Sequence, residues 1–93
     1  LSVLPFGPAE SSSAAIISGG ATHEIAQAVD AGVDVYLTGE VSHVMYHQAL
    51  EGNINLIAGG HYNTEIWGVK LLAEKCTADT GIETEFIDGP TGL

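Results

Sequence analysis

Three times along this 93-residue chain an apolar run closes on glycine beside a polar or titratable side chain, and that recurrence limits the fold more than any other feature. The runs are Ala14-Ala15-Ile16-Ile17-Ser18 before Gly19-Gly20, Val33, Val35 and Leu37 alternating up to Thr38-Gly39-Glu40, and Ile54, Leu56 and Ile57 before Gly59-Gly60-His61. Short apolar stretches ended by glycine predict strands, the first of them a buried one. Helical spacing follows each of them. Thr22 is placed to cap a helix carrying Ile25, Ala28 and Val29, with Ala31-Gly32 as its stop. Ser42 is placed to cap a second, with Val44, Ala49 and Leu50 before Gly52. A third runs from about Thr64 through Ile66, Val69, Leu72, Ala73 and Cys76. Lys70 and Lys75 lie toward its C-terminal part, where positive charge suits the helix dipole. Ile82, Phe86 and Ile87 predict a fourth strand before Gly89-Pro90. The expected fold is therefore α/β, a β-α-β-α-β-α-β layer with a largely parallel sheet whose last strand lies at an edge in either direction. Residues 1–13 hold Pro5, Gly7, Pro8 and three serines, and are expected to form a linker or connecting arm to the folded unit 14–93.

Composition narrows the function. Hydrophobic residues make up 45% of the chain, enough for a core. A domain this small buries a modest fraction of its surface, so a partner lobe or oligomer is expected to support it. Twelve acidic residues against two lysines give a formal net charge of -10. Such a surface repels phosphate backbones and anionic lipids, so neither nucleic acid nor membrane is an expected partner. A salt-adapted source would produce the same imbalance. One cysteine forms no internal disulfide, which points away from an oxidising compartment and toward the cytoplasm. No apolar run approaches the roughly 20 residues that span a bilayer, and no charged-then-apolar leader opens the chain. Its first residue is Leu1 rather than Met, which suggests a processed chain or a piece of something longer.

In a parallel α/β layer, ligands gather outside the carboxyl ends of the strands. The three glycine-bearing turns converge there. Glycine serves close approach and ordinary tight turns alike, and taken alone these glycines read as turns, where glycine is common. The sharpest feature is Gly60-His61-Tyr62-Asn63-Thr64-Glu65. Residues four apart share a helix face, so His61 and Glu65 project together if the first turn includes both. Imidazole nitrogen and carboxylate oxygen both suit zinc, iron or manganese. A surface pair of no consequence has the same spacing. Glu40 and His43, with His47 one turn on, could orient a ligand, move a proton, or support metal ligands from behind. Alternatively Glu40 favours a helix N-terminus and both histidines are half exposed. His23 reads as a surface histidine and Cys76 as buried packing on the last helix. A zinc site wants about four ligands. This chain offers two, with no nucleophile elbow and no phosphate loop.

Ser18-Gly19-Gly20, Asp34 to Glu40, Ser42-His43 and Gly60 to Glu65 together resemble the C-terminal lobe of the dinuclear-metal-centre proteins called GTP cyclohydrolase I type 2 homologues, or NGG-interacting-factor-three-like proteins. The resemblance spans about residues 14 to 88. It implies two metal ions between two α/β lobes, with His61 and Glu65 as the ligands given by this lobe and Glu40 near the pocket. The N-terminal lobe, absent here, would give adjacent histidines and an aspartate. The resemblance also implies a soluble, intracellular, ring-shaped homohexamer. Val44-Met45-Tyr46-His47 departs from the pattern, since many relatives place a second histidine directly after the one at Ser42-His43. The expected function is that of a metal-binding lobe of a metal-dependent hydrolase acting on a nucleotide or phosphorylated small molecule. The alternatives are a non-catalytic scaffold that assembles into rings, and a folded lobe without activity of its own. Alone, the 93 residues are expected to bind metal weakly or not at all.

Overall fold

The computed structural model describes residues 1–93. Its elements are β1 (Ser2–Pro5), β2 (Ala14–Ile16), α1 (Ile25–Asp30), β3 (Val35–Thr38), α2 (His43–Glu51), β4 (Asn55–Ala58) and α3 (His61–Thr80). The four strands form one sheet in the order β1-β4-β3-β2. β2, β3 and β4 run parallel, and β1 joins β4 antiparallel at the edge. The α/β class and the largely parallel sheet are as expected.

The fourth strand is not where the sequence put it. Residues 81–93 carry no regular structure, and the edge position is taken by Ser2–Pro5 from the expected linker. Only the stretch after β1 is an arm. It runs from one edge of the sheet to the other beneath the amino-terminal ends of β4 and β3. Asn55 there accepts from the Gly7 N–H at 2.9 Å and donates to the Pro8 carbonyl at 2.8 Å. Asp34 accepts from both the N–H and the hydroxyl of Ser12, at 2.8 and 3.1 Å. Those bonds hold the Asp34 carboxyl below its usual range.

Register explains the two faces. Leu4, Leu56, Tyr36 and Ala15 stand side by side across the four strands. On this face α1 and α2 bury Ile25, Ala28, Met45 and Ala49 against Tyr36, Ile54, Leu56 and Ala58. In β3 Tyr36 and Thr38 are the buried residues, while Val35 and Leu37 on the other face are half-buried. Tyr36 donates its hydroxyl to the Ala21 carbonyl, which satisfies the one polar atom its burial would strand. Desolvation raises its pKa. A parallel sheet is apolar on both faces, so alternation alone does not say which side is covered. The second face carries the row Val3, Ile57, Leu37 and Ile16, and it is only half covered. β2, expected to be buried, is an exposed edge.

Helix ends depart from expectation at α1 and α3. Thr22 does not cap α1, which starts after Glu24 without a side-chain cap. The Ser42 hydroxyl does cap α2, accepting from the Met45 N–H at 3.4 Å. α3 begins at His61 rather than Thr64 and ends on Gly81, whose φ of 74° suits glycine. None of its residues is buried, so the stripe Ile66, Val69, Leu72, Ala73 and Cys76 is not core, and Cys76 is half exposed rather than buried. Residues 82–93 return along α3. Thr84 bonds Thr77 at 3.0 Å, Lys70 lies over the rings of Trp67 and Phe86, and the Leu93 carbonyl accepts from the Tyr62 N–H at 3.1 Å.

Candidate metal centre

The carboxyl ends of β2, β3 and β4 bring the three glycine turns together. The Gly39 N–H donates to the Gly19 carbonyl at 3.0 Å, and the Gly60 N–H to the Gly39 carbonyl at 2.8 Å. The Thr64 hydroxyl completes the knot, accepting from the Gly19 N–H at 2.9 Å and lying 2.8 Å from the Gly60 carbonyl, to which it donates. This role of Thr64 was not foreseen. Its signal was a threonine in a first helical turn, where the hydroxyl can bond back to a carbonyl four residues earlier. Gly59 donates to Thr38 at 2.8 Å. With the N–H groups of Gly19, Gly39, Gly59 and Gly60 already bonded, these glycines build turns rather than a phosphate cradle.

Upon this edge three titratable side chains meet. The early start of α3 places His61 and Glu65 on one face of its first turns, with His61 Nε2 3.2 Å from Glu65 Oε1. Glu40, at the end of β3, brings its Oε1 to 2.7 Å from His61 Nδ1. Gly19, with φ of 73°, leaves room for Glu65, whose carboxylate would collide with a Cβ there. The three side chains are 38–54% exposed, so the group opens to one side. Glu40 is the main cause that raises the His61 pKa above its ordinary value, with Glu65 adding to it and desolvation opposing. A cation can bind Nε2 only when that nitrogen is unprotonated, so protons compete with it more strongly here than at an ordinary histidine.

The other histidines stand apart. His43 is exposed at the start of α2, its ring 5.9 Å from that of His47, which also meets Tyr46 at 5.3 Å. His23 is exposed. Tyr62, inside the same motif as His61, was also missed. Its hydroxyl donates to Asp88 and accepts from the Gly89 N–H at 2.8 Å, so it straps the tail to α3, and the Asp88 bond raises its pKa.

The donor set fits part of a metal site. Glu40 and Glu65 occupy opposite edges of the imidazole, so the three cannot converge on one ion, and no group of three or more such side chains in the chain is arranged to hold a metal. His61 Nε2 and Glu65 are two donors that can share a cation, and the rest must come from elsewhere.

Residues 1–91 match the family described as Duf34/NIF3 (NGG1p interacting factor 3). The chain belongs to that family. The match includes the first 13 residues, in agreement with β1 being part of the sheet. A NIF3-family relative from Treponema pallidum, named GTP cyclohydrolase 1 type 2 homolog, is 47% identical over 91 residues, which is 98% of this chain and 32% of the relative. TTHA1606 from Thermus thermophilus superposes with a TM-score of 0.85 at 34% identity, over 98% of this chain and 36% of that one. Protein ybgI, described as of unknown function, gives 0.91 at 34% identity, over 98% and 37%. This chain thus spans about a third of the length of the NIF3 proteins it matches.

Proposed function

We propose that this segment is the divalent-metal-binding lobe of a metal-dependent hydrolase acting on a nucleotide or another phosphorylated small molecule. One observation carries the reading: His61 Nε2 and Glu65 Oε1 lie 3.2 Å apart at the strand-end edge, close enough to share one cation. An imidazole with a carboxylate suits zinc, iron or manganese. Two ions is the number the family resemblance implies, and further ligands would come from the two-thirds of the relatives that this chain does not span. When bound, such ions polarise a substrate oxygen and lower the pKa of water.

The chain's own residues do the rest. His61 and Glu65 hold the ion from one side, and Glu40 fixes the far edge of the imidazole. Their exposed side is where remaining ligands and substrate arrive. His43, exposed at the start of α2 three residues after Glu40, is the candidate for substrate contact. The relatives' name makes GTP the first substrate to try. Turnover of GTP or a phosphoester by a full-length protein carrying this segment should stop with chelator, return with added metal, and fall at least a hundredfold in H61A. Turnover indifferent to chelator would overturn the proposal.

A scaffold that assembles into rings, as a homohexamer, is the second reading. It is favoured by the half-open sheet face and by an α3 without one buried residue. Assembly that persists in sedimentation without metal, together with no turnover of any phosphorylated substrate, would favour it. A cytoplasmic location is part of either reading, since a lone cysteine suits a reducing compartment. No helix is long and apolar enough to cross a membrane.

A further inference from the structure

A neutral imidazole carries one N–H, and the hydrogen bond made at one nitrogen decides what the other presents. In His61 both nitrogens face carboxylates, so two tautomers compete. The contacts are unequal: 2.7 Å from Nδ1 to Glu40 and 3.2 Å from Nε2 to Glu65. An ionised carboxylate only accepts, so the shorter contact requires the proton on Nδ1.

Glu40 is also the better anchored of the two acids. It follows Gly39, which is buried and bonded through its N–H to Gly19 and through its carbonyl to Gly60. Gly20 lies against the pair, where a Cβ would come within 3.2 Å of Glu40 Oε2 and 3.4 Å of His61 Cε1. Glu65 has more than half of its side chain exposed, on a helix with no buried residue. The acid at Nδ1 is thus fixed by the sheet, and the acid at Nε2 is free to adjust.

We propose that Glu40 is a positioning residue, which holds His61 in the Nδ1–H tautomer and so presents the Nε2 lone pair toward Glu65. The use of that lone pair for a metal rests on the function proposed above; the tautomer does not. A carboxylate behind an imidazole orients the ring and raises its basicity, and loss of such a partner generally costs 10–100-fold in metal affinity.

Nitrogen-15 NMR of the histidine-labelled, metal-free chain, at a pH where His61 is neutral, tests the assignment. Wild type should show Nδ1 protonated. In E40A the proton should move to Nε2, where Glu65 accepts it, whereas E40Q should keep Nδ1–H because its amide oxygen can still accept. Nε2–H in the wild type, or an unchanged tautomer in E40A, overturns the proposal. Zinc competition against a chelator in a full-length protein carrying the segment should then show a 10–100-fold loss for E40A and a smaller loss for E40Q. Zinc affinity unchanged in E40A but lost in H61A would deny Glu40 its positioning role. If H61A and E65A keep their zinc while E40A still loses Nδ1–H, the metal reading fails and the tautomer assignment stands.

Discussion

Gly39 sits where the three strand-end turns close, and its missing side chain is what lets them close. A Cβ there would stand 2.8 Å from the Thr64 hydroxyl and 2.9 Å from the Gly60 carbonyl, and would collide with the Gly19 carbonyl. Two of those neighbours are backbone atoms of bonded turns and cannot swing aside. Gly39→Ala should therefore cost about 1–3 kcal/mol, as overpacking does. Gly68, in the middle of α3 with nothing near its Cβ position, should instead gain up to about 1 kcal/mol as alanine. Paired urea denaturation curves check both. Asp34 gives the pH-sensitive counterpart. Its folded pKa is depressed by the Ser12 bonds, so its contribution is present above the unfolded value of 3.8 and is lost as pH falls through the lower folded value. Hydrogen exchange at Ser12 should accelerate in D34A near neutral pH and, in the wild type, as acid titrates that carboxylate. Of these residues, the sequence marked the glycines as turns and His61 with Glu65 as a pair. It could not mark Glu40 as the partner of His61, because that contact joins residues 21 apart through the sheet.

Among the elements, strand positions are set by register, and register separates a covered face from an open one. Leu56 is fully buried beneath α1 and α2, while its neighbour Ile57 faces the half-covered side. Leu56→Ala should cost about 2–5 kcal/mol and Ile57→Ala distinctly less, since little packing is lost there. Equal losses in thermal or chemical unfolding would contradict the two-faced description. Three strands and three helices were legible because glycine stops and helical spacing are local signals. The antiparallel edge was not. Ser2–Pro5 is short and ends in proline, tolerable on an edge strand and otherwise a mark of irregular chain. Ile82, Phe86 and Ile87 have strand chemistry, but every sheet edge in this chain is placed without them. The stripe on α3 was read correctly as apolar and its Cys76 wrongly as buried, because spacing says which residues share a face and nothing about what covers it.

As a whole the molecule is longer than its size requires. Its radius of gyration is 15.7 Å with extents of 49 × 27 × 21 Å, against about 12 Å for a compact chain of this length. Twelve of 93 residues are buried, and Trp67 and Leu72 on α3 are 59% and 68% exposed. A groove of about 500 Å³ between the open sheet face and α3, lined by Ile16, Leu37, Ile57 and Trp67, adjoins the turns that carry the site. The chain spans about a third of the length of its relatives, and these apolar surfaces stand open in it. The proposed metal site is likewise one-sided, with His61 and Glu65 the two donors this chain would give it. The direct measurement is metal content, by elemental analysis of a full-length protein carrying this segment, in the wild type and in H61A and E65A. Bound zinc, iron or manganese in the wild type and its loss in each variant is the result predicted here. The same metal content in all three would contradict it.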